Sequence, residues 1–255
     1  MRIHEGYEVT GEWSKKLALL THLVNILEGI RSDFECMDSY ICEPLNLDEV
    51  LGSSIRICTY KCNLELRNED LRAYFDELVR YELINDFRVK HLTYKPSINE
   101  VITRNDIYSK LSSLFDELFS YLGSYVLRTS IEGIEYMVIV LRNGKAALLE
   151  GERNSISIPN VGVIASAHTH IKGCLPSPHD VRSLMHMLFD GGIGLGIMSR
   201  ECLLKIIRVG PFTEDDYYEL ALFRNYLRRH DVDSLRSYLG KGFIGRNIRL
   251  FIKIT

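Results

Sequence analysis

Apolar positions along the chain recur with two periods, and the switch between them marks out its elements. Over residues 12–28, Leu17, Leu20, Val24 and Leu27 repeat at helical spacing, and Gly29 follows as the expected stop. A loop of acids and turn formers leads to a short helix candidate at 46–51. Residues 68–81 form a second amphipathic helix, capped by Asn68, with Leu71, Tyr74, Phe75, Leu78 and Val79 on one face. Two β-like runs, 87–94 and 100–103, meet across Lys95, Pro96 and Ser97. A third helical pattern runs from 105 to 121, with Leu111, Leu114, Phe115, Leu118, Phe119 and Leu122 on its apolar side.

Beyond it the pattern becomes strand-like. Residues 135–142 predict a strand, Asn143 and Gly144 a type I′ hairpin turn, and 145–149 the returning strand. The apolar run 161–167 suits a buried strand. Ser177, Pro178 and Asp180 then open a helix to about 189, since serine caps, proline fits the first turn and an acid favours the dipole. Strands at 193–199 and 202–209, a helix at 213–230 and a last strand at 247–255 complete the order. Asp215 and Asp216 begin that helix and Arg228 and Arg229 end it, in agreement with its dipole.

Composition sets the class. The chain has 255 residues, 46% hydrophobic and 25% charged, enough for one large or two ordinary soluble domains. No apolar leader and no segment of spanning length is visible, so a soluble, non-membrane chain is expected. The six cysteines are scattered, which fits a reducing cytosol. Gly191, Gly192, Gly194 and Gly196 do not follow a strand and open a helix, so they do not read as a phosphate loop.

The candidate chemistry lies between the buried strand and the capped helix. On a strand, His168 and His170 point to one face. The helix start carries Asp180 to the same end. Two imidazoles and one carboxylate leave a fourth tetrahedral position open, as catalytic zinc requires. Ser177 and Asp180 would also suit a helix start without any metal. His179 and His186 read as helix residues rather than ligands.

This constellation resembles the JAMM (MPN+) metalloproteases, over residues 105–210. The family pattern is a remote glutamate, His-x-His, a loop, and Ser-x-x-Asp. The resemblance implies that His168, His170 and Asp180 hold Zn2+, that Ser177 assists the oxyanion, and that a glutamate at an earlier strand start moves the proton. Glu135 opens the strand at 135–142 and is favoured for that role; Glu132, beside Gly133, is the competitor. Ile171 stands where the family has proline, and the loop from His170 to Ser177 is one residue short. The implied activity is that of a JAMM-type zinc isopeptidase or peptidase, like deubiquitinases and desampylases, acting on ubiquitin-like protein conjugates in the cytoplasm.

The first half resembles an archaeal winged helix-turn-helix module over residues 12–120, with residues 56–66 and 71–84 as its helices and 101–104 as the end of its wing. The expected architecture is therefore α/β (α+β): a winged-helix domain at 1–104, then a JAMM/MPN-like mixed sheet flanked by helices at 105–255, with a C-terminal helix and strand extension. In such a module Cys58 and Cys62 would fill small apolar helix positions. With Cys36 and Cys42 they could otherwise be written as a four-thiolate zinc site, while Cys174 reads as a loop filler. Between 67 and 82, Arg67, Arg72 and Arg80 face Glu69, Asp70, Asp76, Glu77 and Glu82, a poor footprint for phosphates. With a net charge of −3 for the whole chain, a protein partner or a dimer is expected there before DNA. Two other readings stay open: a non-enzymatic MPN-type scaffold, and a DNA-associated factor, since bacterial RadC proteins share the His-x-His and Ser-x-x-Asp pattern.

Overall fold

A computed structural model describes residues 5–63, 67–153 and 162–254. The ends of three predicted segments, at 64–66, 161 and 255, lie outside the described residues. The chain divides into two compact units: Glu12–Leu114 with Arg142–Gly144, and Met1–Gly11 with Phe115–Leu141 and Lys145–Thr255. Both mix helices with sheet.

The first strand, β1 (Glu5–Glu8), belongs to the larger unit. The smaller unit opens with α1 (Glu12–Asp33), whose Leu17, Leu20, Val24 and Leu27 are fully buried. Gly29 does not stop this helix, because Ile30 one residue on is itself buried and holds the next turn in the core. β2 (Cys36–Glu43) and β3 (Ser54–Cys62) pair antiparallel. The helix expected at 46–51 is a pair of turns between them. α2 (Asn68–Arg80) then crosses to β4 (Asp86–Leu92), which runs parallel to β3, as a helical crossover permits. Phe75 of α2 stacks on Phe87 of β4 with ring centroids 4.2 Å apart. Residues 98–100 make one 3-10 turn, Ile102 bridges to Ile41, and α3 (Arg104–Phe115) follows.

This arrangement corrects the winged-helix expectation. Residues 54–62 are a strand, so Cys58 and Cys62 occupy strand positions and the first helix of a helix-turn-helix pair is absent from the described residues. Ile55, Ile57 and Thr59 are β-branched and buried on alternate positions, and that pattern decides for the strand.

In the larger unit the helix expected to run on to 121 breaks, and α4 (Glu117–Leu122) and α5 (Val126–Glu132) follow the break. Gly133 ends α5 at φ +74°, a left-handed conformation in which a Cβ would be strained. Then come β5 (Ile134–Leu141), β6 (Ala146–Arg153), β7 (Val163–Thr169), α6 (Pro178–Phe189), β8 (Gly194–Met198) and β9 (Cys202–Arg208). α7 (Glu214–Arg229), α8 (Val232–Lys241), β10 (Phe243–Ile244) and β11 (Ile248–Ile254) complete it. The eight strands order as β1-β6-β5-β7-β8-β9-β11-β10, and β7–β8 is the parallel pair that α6 connects.

The sheet's two faces are unlike. Leu195, Ile197, Leu204 and Ile206 form one core with Val181, Leu184 and Leu188 of α6 and with Leu220 and Phe223 of α7. On the opposite face α4 packs close: a Cβ on Gly196 would lie 2.6 Å from the Phe119 ring. Only glycine lets that ring reach the sheet there.

Candidate metal centre

Every residue of β7 is buried, and the candidate ligand His168 lies one residue before its end. The His170 N–H donates to the Met198 carbonyl at 2.8 Å, so the backbone keeps strand-like pairing one residue past Thr169. His168 and His170 therefore share a face, and Thr169 between them faces the other way. Its hydroxyl accepts the Tyr136 N–H at 2.9 Å and lies 2.7 Å from the Thr129 hydroxyl, clamping the strand end to β5 and α5. Sequence reasoning passed over Thr169, although its middle position in His-x-His already aims it at the opposite face.

Asp180 arrives by a local device. Ser177 caps α6, its Oγ accepting the Asp180 N–H at 3.2 Å while Asp180 Oδ2 accepts the Ser177 N–H at 2.7 Å. Pro178 holds the first helical position. The carboxylate is thus tied to its own helix start before it meets the histidines.

The three side chains converge. His168 Nε2 lies 3.0 Å from His170 Nε2 and 3.5 Å from Asp180 Oδ1, while His170 Nε2 lies 3.7 Å from Asp180 Oδ2. One ligand atom from each fits within a 4.8 Å span. Donors about 2.0–2.1 Å from a tetrahedral zinc stand about 3.3–3.4 Å from each other. The donor set and its spacing fit such an ion.

The protonation states agree. Burial pushes the His168 ring down to about 4, and neighbouring His170 adds to this against the pull of the Asp180 carboxylate, so His168 is neutral with a lone pair to offer. Burial alone would raise Asp180. The His170 ring, the His168 ring and the Ser177 donors outweigh it and hold the carboxyl far below the usual carboxylate range. His168 Nδ1 is buried without a hydrogen-bond partner among the described residues, so the outer contact that commonly orients a ligating imidazole is not supplied there.

The two candidate glutamates separate. Glu132 ends α5 and pairs with Arg128 at 2.8 Å across one helical turn. Glu135 lies on β5, half-buried, at a shift of register where Gly151 and Glu152 together oppose it. Such bulges re-aim side chains at sheet ends. Met137 pairs with His168 at the end of the β5–β7 ladder, two residues short of Glu135 along β5.

The cysteines overturn an expectation. Cys36–Cys62 and Cys42–Cys58 are disulfides joining β2 to β3, and Cys174–Cys202 joins the loop between the metal-site residues to the start of β9. They are neither thiolate ligands nor isolated packing groups, and the argument from free cysteines to a reducing cytosol falls. His179 and His186 are exposed on α6, apart from the triad.

No family model, no curated protein and no solved structure matches the chain. Among the described residues no helix is long and apolar enough to cross a membrane.

Proposed function

We propose that the chain is a zinc-dependent isopeptidase or peptidase of the JAMM kind, acting on ubiquitin-like proteins joined to an amine. The observation that carries this reading is the convergence of His168, His170 and Asp180 from a strand end, the residue beyond it and a helix start. Zinc, when bound, supplies Lewis acidity and makes a water acidic enough to react near neutral pH. His168 offers a neutral imidazole, and Asp180 brings the negative charge that a dication needs. Glu135 takes the proton of the attacking water and delivers it to the leaving nitrogen as the carbon–nitrogen bond breaks. The Ser177 oxygen accepts the Asp180 N–H, which leaves the hydroxyl proton to donate to the carbonyl oxygen as it gains charge.

The smaller unit serves, in this proposal, to hold a protein partner or a second copy. α2 carries acids in its first turn, which disfavours a phosphate backbone. Disulfides form and persist in oxidising compartments, so the three pairings remove the cysteine argument for a cytoplasmic placement.

Metal analysis of the purified chain tests the centre. About one zinc per chain is expected, with loss in both His168→Ala and Asp180→Ala. The wild type is expected to cleave a ubiquitin-like fusion and both variants to fail. Stoichiometric zinc retained in both variants would remove the site.

A further inference from the structure

Along α6 from Arg182 to Phe189, two facing stripes line an open cleft of about 840 Å³. Arg182, Met185, His186 and Phe189 lie at i, i+3, i+4 and i+7, so one face of α6 makes the first wall. Tyr217 and Arg224, one heptad apart on α7, make the second, and Phe212 and Thr213 close the end. The volume falls in the range of small-molecule sites, about 300–1,000 Å³. Phe189 leaves 78% of its surface exposed and Tyr217 44%, so these rings await a contact that the unit itself does not provide.

The charges narrow what would fill it. Arg224 Nε is fully buried and has no hydrogen-bond partner among the described residues. Nε itself is out of a ligand's reach, but the same guanidinium lines the pocket, where its charge favours an anionic oxygen. Arg182 also makes no ion pair among the described residues. Exposed Glu214 is the one carboxylate on the lining, against two guanidinium groups. A neutral apolar molecule would leave the two guanidinium groups of the lining without a counter-charge, while a small hydrated anion would leave Phe189, Phe212 and Tyr217 uncovered.

We infer that this pocket binds an amphipathic carboxylate, an acyl chain ended by one carboxyl group, with the carboxylate at Arg224 and the chain along the aromatic stripe. The site is independent of the proposed metal chemistry, because no residue of the triad lines it.

Calorimetric titration of the full chain with dodecanoate, below the concentration at which it forms micelles, tests the inference. Dodecanoate is expected to saturate at one per chain. Dodecanol, which lacks the charge, and acetate, which lacks the chain, bind at least about tenfold more weakly. Arg224→Met weakens dodecanoate about tenfold or more, and Arg224→Lys recovers part of the loss. Phe189→Ser alters an exposed ring without touching the core and weakens binding severalfold. Asp180→Ala binds dodecanoate as the wild type does, which excludes a carboxylate held by metal. Equal binding of dodecanol and dodecanoate, or unchanged affinity in both Arg224→Met and Phe189→Ser, overturns the inference. So does a dimer in sedimentation that Phe189→Ser dissociates and dodecanoate leaves intact, since a second copy would then own the groove.

Discussion

Met137 stands directly opposite His168 across β5 and β7, and Glu135 lies two residues before Met137 on the same strand. In the proposed mechanism Glu135 serves as proton carrier from this end of β5. Glu135→Gln is expected to keep zinc and to lower cleavage of a ubiquitin-like fusion by about 10²–10⁴, the usual worth of general acid–base catalysis. Glu132→Gln removes an exposed ion pair with Arg128, worth about 0–1 kcal/mol, and leaves cleavage near normal. A dead Glu132→Gln beside an active Glu135→Gln would reverse the assignment.

Asp216 gives the pH dependence of the fold around α7. Burial pushes this carboxyl up, but the N–H groups of Asn247 and Arg246, at 2.9 and 2.7 Å, and the Thr213 hydroxyl hold it below its ordinary value. A carboxyl depressed in the folded state stabilises above its unfolded pKa of about 3.9, and the gain disappears as pH falls through the folded value. Asp216→Asn should lower the melting temperature at pH 7, by the loss of charge-assisted bonds worth about 1.5–3 kcal/mol each. The gap to wild type should begin to narrow below about pH 4 and close as pH falls through the folded value. A gap that stays constant down to pH 2 would show that the charge contributes nothing.

The disulfides can be counted. In denaturant without reductant the wild type should show no reactive thiol, and Cys202→Ser should show one, from Cys174. That variant also loses a crosslink over a separation of 28 residues, typically worth about 2–4 kcal/mol, and should melt earlier. Six thiols in the unreduced wild type would dissolve all three pairings.

The parts of this molecule that were legible in its sequence are those that local chemistry decides. The strand ending at Thr169 and the helix from Pro178 could be read from an uninterrupted apolar run and from the Ser177, Pro178 and Asp180 start. The triad could be read because both histidines sit on one strand face and the cap fixes the carboxylate. Where tertiary pairing decides, the reading failed. The winged-helix resemblance makes residues 56–66 a helix, although Ile55, Ile57 and Thr59 alternate as a strand's do. β1 and β2 were passed over because what makes each a strand is a partner elsewhere in the chain. α8 was missed because Leu235 is its one fully packed apolar residue, too little for a period to show. Nor could spacing pair the cysteines, since pairing depends on which strands become neighbours.

The strand Glu5–Glu8 completes an edge of the larger sheet by pairing with residues 147–150, beyond the whole smaller unit in sequence. During synthesis it precedes its partner and waits on the order of ten seconds for that partner to be made. Contacts of such long reach form late, because the loop between them must close first. A strand made well before its partner is thus among the last to be placed. Until then the outer edge of β6 has no cover, and the interval in which this chain is most open to pairing with a neighbour is written into the order of its own residues.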